Sequence, residues 1–205
     1  LWEGYDINEV ASIQGWQKDP ENVQNFYNLR RKQAAEAHPN DAHKALADLE
    51  EHFEVSIVTQ NVDDLHERGG STQVLHLHGE LRKARSEEDE SLVVDVGSES
   101  IAMGDLAEDG AQLRPHVVWF GEMVPMMEPA AIEVSKADVL VVVGTSLVVY
   151  PAASLIDYAD AGIPKFIIDP SDPQLWDREG WTHFKENAGT GVNKLAEKLK
   201  NEYLQ

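Results

Sequence analysis

The amino-acid sequence predicts an α/β fold, in which a parallel β-sheet is covered by helices on both faces. Three short runs rich in Val and Ile, at 54–61, 139–146 and 164–173, have the near-continuous apolar character of buried parallel strands. Segments with helical periodicity alternate with such runs, and parallel neighbours need crossover connections of this kind. A chain of 205 residues is long enough for one such core together with a small satellite domain.

Two helices are predicted ahead of the first strand. The segment 19–37 starts with Asp19 as an N-cap and Pro20 in its first turn, which is typical of a helix start. Its residues at helical spacing are Val23, Phe26, Tyr27 and Arg30. The segment 40–53 begins on Asn40, another N-cap candidate. Its apolar residues at helical spacing are Ala42, Leu46 and Leu49.

The later elements continue the alternation. A short helix at 63–68 and a strand at 73–78 follow the first strand. Beyond the strand at 139–146, Pro151 and Gly162 are placed to start and to end a helix. The elements predicted after it are a strand at 164–173, a short strand at 182–187 and an amphipathic helix at 191–204.

The stretch between residues 81 and 115 interrupts this alternation. It is acidic and contains one strand-like run, at 92–96. We therefore predict a small inserted lobe at 81–114 and a main domain formed by 1–80 together with 115–205. The lobe is expected to pack through that run and through Ile101, Met103 and Leu106.

The composition argues against several classes of protein. The chain has no cysteine, which excludes disulfides, thiol catalysis and cysteine-bound zinc. Its formal net charge of −20 opposes binding to nucleic acid and to anionic membranes. Such a surface either attracts basic partners, such as lysine-bearing protein segments, or serves solubility and salt adaptation. Because no apolar run approaches the ~20 residues of a membrane span and no secretory leader is seen, a cytoplasmic location is expected, with a monomer favoured.

Three of the predicted strand segments end in polar residues, at 59–61, 144–146 and 169–171. Ligands of parallel sheets bind at the carboxyl ends of the strands, so these tails predict a binding site along that edge. The Gly-Thr-Ser segment 144–146 suits a backbone that approaches a phosphate or a ribose closely. The signal is weak by itself, because the three-glycine dinucleotide fingerprint is absent from the sequence.

His78 lies between an apolar strand and Gly79 and is the candidate general base. A histidine titrates near pH ~6.5 and can take up a proton at neutral pH. Asn61 and Asp63 follow a neighbouring strand, which favours a catalytic role over that of a satisfied core histidine. A metal site that combines His78 with His76 and His66 is a further alternative, although such sites usually add a carboxylate or a water.

Four segments in order carry a resemblance to a known family. They are TQNVDDLHERGG, VLHLHGEL, RPHVVWFGEMVP and VGTSLVVYPAASL. Together they resemble the sirtuins, the Sir2-type deacylases, and most closely the small bacterial members. The resemblance implies a Rossmann-like sheet that binds NAD, and the NAD-dependent removal of acyl groups from lysines of protein or peptide substrates. Its products would be nicotinamide, free lysine and O-acyl-ADP-ribose. Protein ADP-ribosylation and an inactive NAD-binding sensor stay open as alternatives.

The resemblance also implies a role for each matching position. His78 would be the general base, with Asn61 and Asp63 beside it in the catalytic centre. The nicotinamide and its ribose would contact Gln60, Asn61, Val62 and Asp63, of which Asp63 receives the carboxamide. The adenosine side of NAD would contact Gly144, Thr145, Ser146, Asp169, Pro170, Ser171 and Ala188. The apolar acyl-lysine tunnel would be formed by Val118, Phe120 and Gly121, and Glu122, Met123 and Val124 would pair with the substrate backbone as an added strand.

The acyl preference is expected to depend on the helices within 7–52, and above all on Tyr27 and Arg30. These residues are three positions apart, so both can face one side of a helix. Sirtuins that accept acidic acyl groups carry such a pair at the end of the acyl tunnel. Arginine can bind a carboxylate bidentately, and the tyrosine hydroxyl adds a donor. The resemblance therefore predicts removal of succinyl or malonyl as well as acetyl groups, with a solvated helix face as the alternative.

The sequence departs from the family pattern in three ways. The glycine-rich NAD loop and its strand are not in the sequence and are expected upstream of Leu1. The zinc cysteines of the small lobe are missing, and Ser86 stands where one of them belongs, so no zinc is expected. Asp169 replaces the usual asparagine at the ribose position. A carboxylate there would repel an extra phosphate, which predicts a preference for NAD over NADP.

Overall fold

The computed structural model describes residues 4–172 and 180–204, and the chain divides into two compact units. The first unit consists of Leu1–Ala37, Gln60–Asp64 and His78–Val124, and the second of His38–Thr59, Leu65–Leu77 and Pro125–Gln205. The segment 81–114, predicted as a lobe, lies in the first unit, which also contains the first helices. Pro173, the last position of a predicted strand, lies outside the described residues.

The described part of the chain contains the following regular elements in chain order. The α-helices are α1 (Ile7–Val10), α2 (Ile13–Lys18), α3 (Pro20–Glu36), α4 (Asp41–Leu49), α5 (Leu65–Gly69), α6 (Met127–Ser135) and α7 (Ala188–Tyr203). The strands are β1 (Ile57–Thr59), β2 (Val74–His76), β3 (Gly79–Ser86), β4 (Val93–Asp95), β5 (Leu113–Val117), β6 (Leu140–Val143), β7 (Lys165–Ile168) and β8 (Trp181–Phe184). Within residues 4–172 and 180–204, no helix is long and apolar enough to cross a membrane.

The predicted α/β fold is confirmed in the second unit. Strands β1 and β2 pair in parallel, and β6, β7 and β8 form a second parallel group in that order. Along β7, Phe166 and Ile168 pack with buried residues of α4 and α7 on one face. Ile167 points to the other face and packs with Ala153 of a 3₁₀ helix. Alternate strand residues face opposite sides, so helical segments cover both faces of this sheet.

Two helix starts behave as the sequence predicts. Asp19 caps α3 by accepting a hydrogen bond from the Asn22 N–H (3.0 Å), with Pro20 in the first turn. Asn40 caps α4, and the side chain of His43 reaches back to the Asn40 N–H to complete a capping box. These local bonds satisfy N–H groups that a helix start leaves without partners.

Apart from small shifts of element boundaries, the structure departs from the prediction in three places. The helix predicted at 151–162 is a 3₁₀ helix over Ala152–Tyr158, and the Asp160 carboxylate beyond it accepts the Gly162 N–H (2.7 Å). Such side-chain bonds compete with continuation of a helix. The strand predicted to reach His78 ends at His76. Helix α6 was not predicted.

The β4–β3–β5 sheet of the first unit is antiparallel, and apolar packing contributes less to this region than the sequence predicts. Ile101 is buried, whereas Met103 and Leu106 are exposed (43% and 59%). The buried Ser86 hydroxyl instead donates to Asp109 (2.6 Å) and accepts the N–H groups of Glu88 and Asp89. Hydrogen bonds therefore hold the turn where the family pattern has a cysteine.

Three side chains of α3 bind main-chain atoms of the same region, and we refer to Gln24, Asn28 and Arg31 as the polar face of α3. Gln24 donates to the Leu113 carbonyl (2.8 Å), and Asn28 bonds both the N–H and the carbonyl of Ile101. Arg31 donates to the carbonyls of Leu81 (2.6 Å) and Glu99 (3.3 Å). Burial lowers the pKa of Arg31 to about 10, so the guanidinium stays charged at neutral pH.

Candidate active site

His78 follows β2 and precedes Gly79, whose φ of +81° is reached easily only by glycine. A Cβ at position 79 would lie 2.1 Å from the His116 carbonyl oxygen, so the turn also requires glycine for space. The Nδ1 of His78 lies 3.3 Å from the Gln60 carbonyl oxygen. A carbonyl can only accept, so this contact assigns the proton to Nδ1 and leaves Nε2 as the basic nitrogen.

Burial lowers the pKa of His78, and the hydrogen bond to Gln60 offsets this only in part. The imidazole is therefore neutral at pH 7 and able to accept a proton. This is the protonation state that a general base needs.

The predicted nicotinamide segment, residues 60–63, lies beside His78 in the first unit. In addition to the Gln60 contact, the Val62 carbonyl accepts the Leu81 N–H at 2.7 Å. Val62 also packs against the apolar cluster that contains Tyr27 and Trp119. Within this segment Asn61 is exposed and Asp63 is half-buried. The main-chain bonds therefore fix the segment while both polar side chains stay within reach of solvent.

The alternative of a histidine metal site finds no support in the described residues. His76 Nε2 bonds the Glu67 carboxylate at 2.7 Å, and the His66 ring packs edge-on against His43. These contacts lie in the second unit, whereas His78 belongs to the first. Among the residues that the structure describes, no three His, Asp or Glu side chains are grouped so that they could hold a metal ion.

The predicted acyl segment begins next to His78. The Val118 N–H donates to the His78 carbonyl (2.9 Å), and the Phe120 N–H donates to the Ala11 carbonyl (2.9 Å). Phe120 and Met123 are exposed, at 53% and 89%. Gly121 has a φ of +91°, and a Cβ there would meet no atom within 4 Å. The segment thus presents apolar side chains and a glycine to its surroundings, and its first residue is hydrogen-bonded to the main chain of the candidate base.

Glu122 has a structural role that the sequence did not suggest. Its carboxylate binds Arg114 (2.8 and 3.2 Å), Arg85 (3.4 Å) and the Trp119 N–H (2.7 Å). All three charged side chains are at most 10% exposed. The Glu122 N–H also donates to the Trp119 carbonyl (3.0 Å), so this N–H is already bonded within the chain.

Tyr27 and Arg30 differ in their surroundings on α3. Tyr27 is 4% exposed, and its hydroxyl oxygen accepts the indole N–H of Trp119 (3.0 Å). Arg30 is half-buried, lies over the Phe26 ring (5.2 Å) and donates to Gln33. Its charge is close enough to lower the pKa of Tyr27, although burial, the dominant effect, raises it. The helix therefore buries Tyr27 and Arg31, with Arg30 at the boundary.

The residues predicted for the adenosine side lie at one edge of the β6–β7–β8 sheet in the second unit. Gly144 follows β6, and its N–H donates to Ile168 at the end of β7 (2.9 Å). Thr145 and Asp169 each accept a main-chain N–H two residues ahead, from Leu147 and Ser171. Ser146 and Pro170 are exposed beside them. Of the three polar tails that were predicted to converge, those at 144–146 and 169–171 therefore lie together at the carboxyl edge of this sheet.

Helix α7 starts at this same edge, with Ala188 as its first residue. Its N-cap, Asn187, makes no side-chain hydrogen bond to the first turn. A Cβ at Gly191 would lie 2.3 Å from the Ile168 side chain, so glycine allows the helix start to pack on the end of β7. Helix N-termini bind phosphates well, and Gly144 has a positive φ (62°) with open space where a Cβ would stand. These residues fit a dinucleotide.

Sequence reasoning missed Trp119, Arg114, Arg85 and the polar face of α3. The spacing of Gln24, Asn28 and Arg31 matches one helix face, which is the only signal that could have identified them. Nothing local indicates that Trp119 contacts Tyr27, because 92 residues separate them.

Comparisons with known proteins give a consistent result. A profile described as the Sir2 family matches residues 1–151. An NAD-dependent protein deacylase of Helicobacter pylori (strain J99) is 51% identical over 199 residues, which cover 97% of this chain and 85% of that protein. One from Bacteroides thetaiotaomicron is 46% identical over 204 residues, with 97% and 87% covered. A solved complex of a Sir2 homologue with NAD superposes with a TM-score of 0.88 at 38% identity, with 98% and 80% covered.

Proposed function

The chain belongs to the Sir2 family, the sirtuins, and on that premise we propose that it removes acyl groups from protein lysines with NAD as co-substrate. The products are nicotinamide, deacylated lysine and O-acyl-ADP-ribose. The observation that carries the proposal is His78, a neutral imidazole whose Nδ1 is held by the Gln60 carbonyl. Relatives named as NAD-dependent protein deacylases match almost the entire chain.

The chain's own residues have separate tasks in this reaction. NAD supplies the activated bond between nicotinamide and ribose. His78 accepts a hydroxyl proton at Nε2, and the bond of Nδ1 to Gln60 keeps the ring in that orientation. Asn61 and Asp63 orient the nicotinamide end, and residues 144–146, 169–171 and Ala188 bind the adenosine side. Val118 and Phe120 supply the apolar surroundings that keep water from the acyl group.

The proposal is tested by mass spectrometry of an acetylated peptide incubated with the protein and NAD. Deacylation removes the acyl mass from the lysine and produces O-acyl-ADP-ribose. A peptide or protein that instead gains ADP-ribose would point to the transferase alternative. Absence of any nicotinamide release, with NAD binding intact, would point to a sensor.

The pH dependence of the reaction follows from His78. Burial places its pKa below the ordinary value near 6.5, so the basic form persists into mildly acidic solution. We expect kcat/KM to be flat near pH 7 and to fall only below about pH 6.5, as His78 takes up a proton. Rates measured between about pH 5 and pH 8 check this. An acid limb centred above pH 7 would contradict the assignment of the base.

For the acyl preference, we propose that Tyr27 and Arg30 favour acyl groups that end in a carboxylate. Tyr27 contributes a neutral hydroxyl, because its raised pKa keeps the phenol protonated. Arg30 contributes a positive charge at the edge of the apolar cluster. A carboxylate bound by both would receive charge-assisted hydrogen bonds.

Replacement of Arg30 by methionine tests this preference. Loss of a hydrogen bond to a charged group costs ~1.5–3 kcal/mol, so desuccinylation should fall by about 10- to 100-fold relative to deacetylation. The comparison uses kcat/KM for succinyl and acetyl peptides of identical sequence. Lys32→Met, on the same helix, is the matched control and should leave the ratio unchanged. An unchanged succinyl-to-acetyl ratio in Arg30→Met would show that Arg30 does not recognise the acyl group.

The surface charge suits a lysine-rich protein partner. Three of the chain's cations, Arg31, Arg85 and Arg114, are at most 7% exposed. The solvent-facing surface is therefore more acidic than the net charge of −20 indicates. Attraction to basic protein segments remains the proposed use of this charge. The cytoplasmic location, the monomeric state and the lack of nucleic-acid and membrane partners stay predictions from composition.

A further inference from the structure

The hydroxyl of Tyr27 is a buried donor without an acceptor among the residues that the structure describes. A phenol has one O–H donor and an oxygen that accepts. The oxygen accepts the indole N–H of Trp119 at 3.0 Å, and no other hydrogen bond of Tyr27 is present in the described part of the chain. A buried polar group normally has a hydrogen-bond partner. A buried O–H without an acceptor in the described residues therefore indicates a position where a ligand can accept the hydrogen bond.

Trp119 is held in place from three directions. Its main-chain N–H donates to the Glu122 carboxylate (2.7 Å). The Arg114 guanidinium, itself bound to Glu122, lies over the indole ring at 3.4 Å from its centre. Trp16 packs on the ring at a centroid distance of 5.6 Å. With the ring fixed, the indole N–H has a fixed direction.

The direction of the Trp119 N–H determines where the O–H of Tyr27 can point. An indole N–H only donates, so the phenol proton cannot point toward Trp119. The proton is turned away from the indole, and the hydrogen bond received by the oxygen makes the O–H a stronger donor. Without Trp119 the hydroxyl could rotate freely.

We propose that Trp119 is a specificity-determining positioning residue, which orients the Tyr27 O–H as a donor to an acyl group that ends in a carboxylate. This inference rests on the proposed acyl preference and adds the residue that sets the direction of its hydrogen bond. Trp119 acts through Tyr27 and does not itself touch the acyl group. An acetyl group ends in a methyl, which cannot accept this hydrogen bond, so the effect is confined to acyl chains that end in a carboxylate.

The test compares Trp119→Phe, which keeps a ring and removes the N–H, with Tyr27→Phe and with the double variant. For each, kcat/KM is measured with succinyl and acetyl peptides of identical sequence, and their ratio is taken. The ratio does not depend on the folded fraction, because both substrates meet the same enzyme. Trp181→Phe is the matched control, because it makes the same exchange at a half-buried tryptophan of β8 that has no part in the Trp119–Tyr27 contact.

We expect Trp119→Phe to lower the succinyl-to-acetyl ratio by about three- to tenfold, mainly through a higher KM for the succinyl peptide. Tyr27→Phe should lower it at least as much, and the double variant should match Tyr27→Phe alone. Trp181→Phe should keep the wild-type ratio. If Tyr27→Phe lowers the ratio and Trp119→Phe does not, or if their effects add fully, the inference is overturned while the acyl preference stands. If Tyr27→Phe leaves the ratio unchanged, Tyr27 has no part in the acyl preference, and the inference is overturned with it.

Discussion

Replacement of His78 by asparagine should lower kcat/KM for deacylation by about 10²- to 10⁴-fold, the range expected when a general base is removed. Asparagine keeps a polar side chain of similar size next to the Gln60 carbonyl but cannot accept the proton. NAD binding should change little, because the predicted adenosine residues lie at a different part of the chain. Nicotinamide release with an acetyl peptide measures the rate, and isothermal titration measures NAD binding.

His116→Asn is the matched control for that experiment. His116 is also half-buried, and burial likewise lowers its pKa. Within the described residues, the side chain of His116 makes no hydrogen bond to the predicted site. Its replacement should cost no more than a few-fold in rate. Wild-type activity in His78→Asn, or an equal loss of activity in both variants, would contradict the assignment of His78 as the general base.

Replacement of Glu122 by alanine should lower the free energy of unfolding by about 3–5 kcal/mol. The change leaves the guanidiniums of Arg85 and Arg114 buried without their shared carboxylate, and it also removes the acceptor of the Trp119 N–H. A loss of this size corresponds to a fall in Tm of about 10 °C for a chain of this length. Thermal unfolding followed by circular dichroism measures it.

Glu90→Ala provides the comparison for Glu122. Glu90 also contacts Arg85 (3.4 Å), but its side chain is 65% exposed. Exposed ion pairs contribute ~0–1 kcal/mol, so this variant should unfold close to the wild-type temperature. Similar Tm values for the two variants would show that the buried ion pairs of Glu122 stabilise the fold no more than the exposed ion pair of Glu90.

The parts of the fold that could be predicted from sequence depend on short-range chemistry. The caps at Asp19 and Asn40 bond to amides at most three residues away, so their signals lie within one turn. The buried strands are visible because covering both faces requires apolar residues throughout. The polar residues after β6 and β7 can be recognised for the same reason, because they end the apolar runs of these strands.

The parts that could not be predicted depend on contacts between distant residues. The side chain of Glu122 turns inward because Arg114 and Arg85 reach it from β5 and β3, and no local pattern indicates these partners. Arg30 and Arg31 are adjacent and chemically identical, and only the packing of α3 decides which one is buried. Met103 and Leu106 are apolar but exposed, since polar bonds from α3 and Ser86 already hold their neighbours.

The polar face of α3 has a consequence for how the sequence can change over time. Gln24 and Arg31 donate to carbonyl oxygens, and every amino acid supplies a carbonyl whatever its side chain. Positions such as Glu99 and Leu113 can therefore be substituted without loss of these particular bonds. The three α3 residues themselves have no such freedom. Sequence drift in the acidic lobe should thus be tolerated as long as the helix beside it keeps its amide and guanidinium groups.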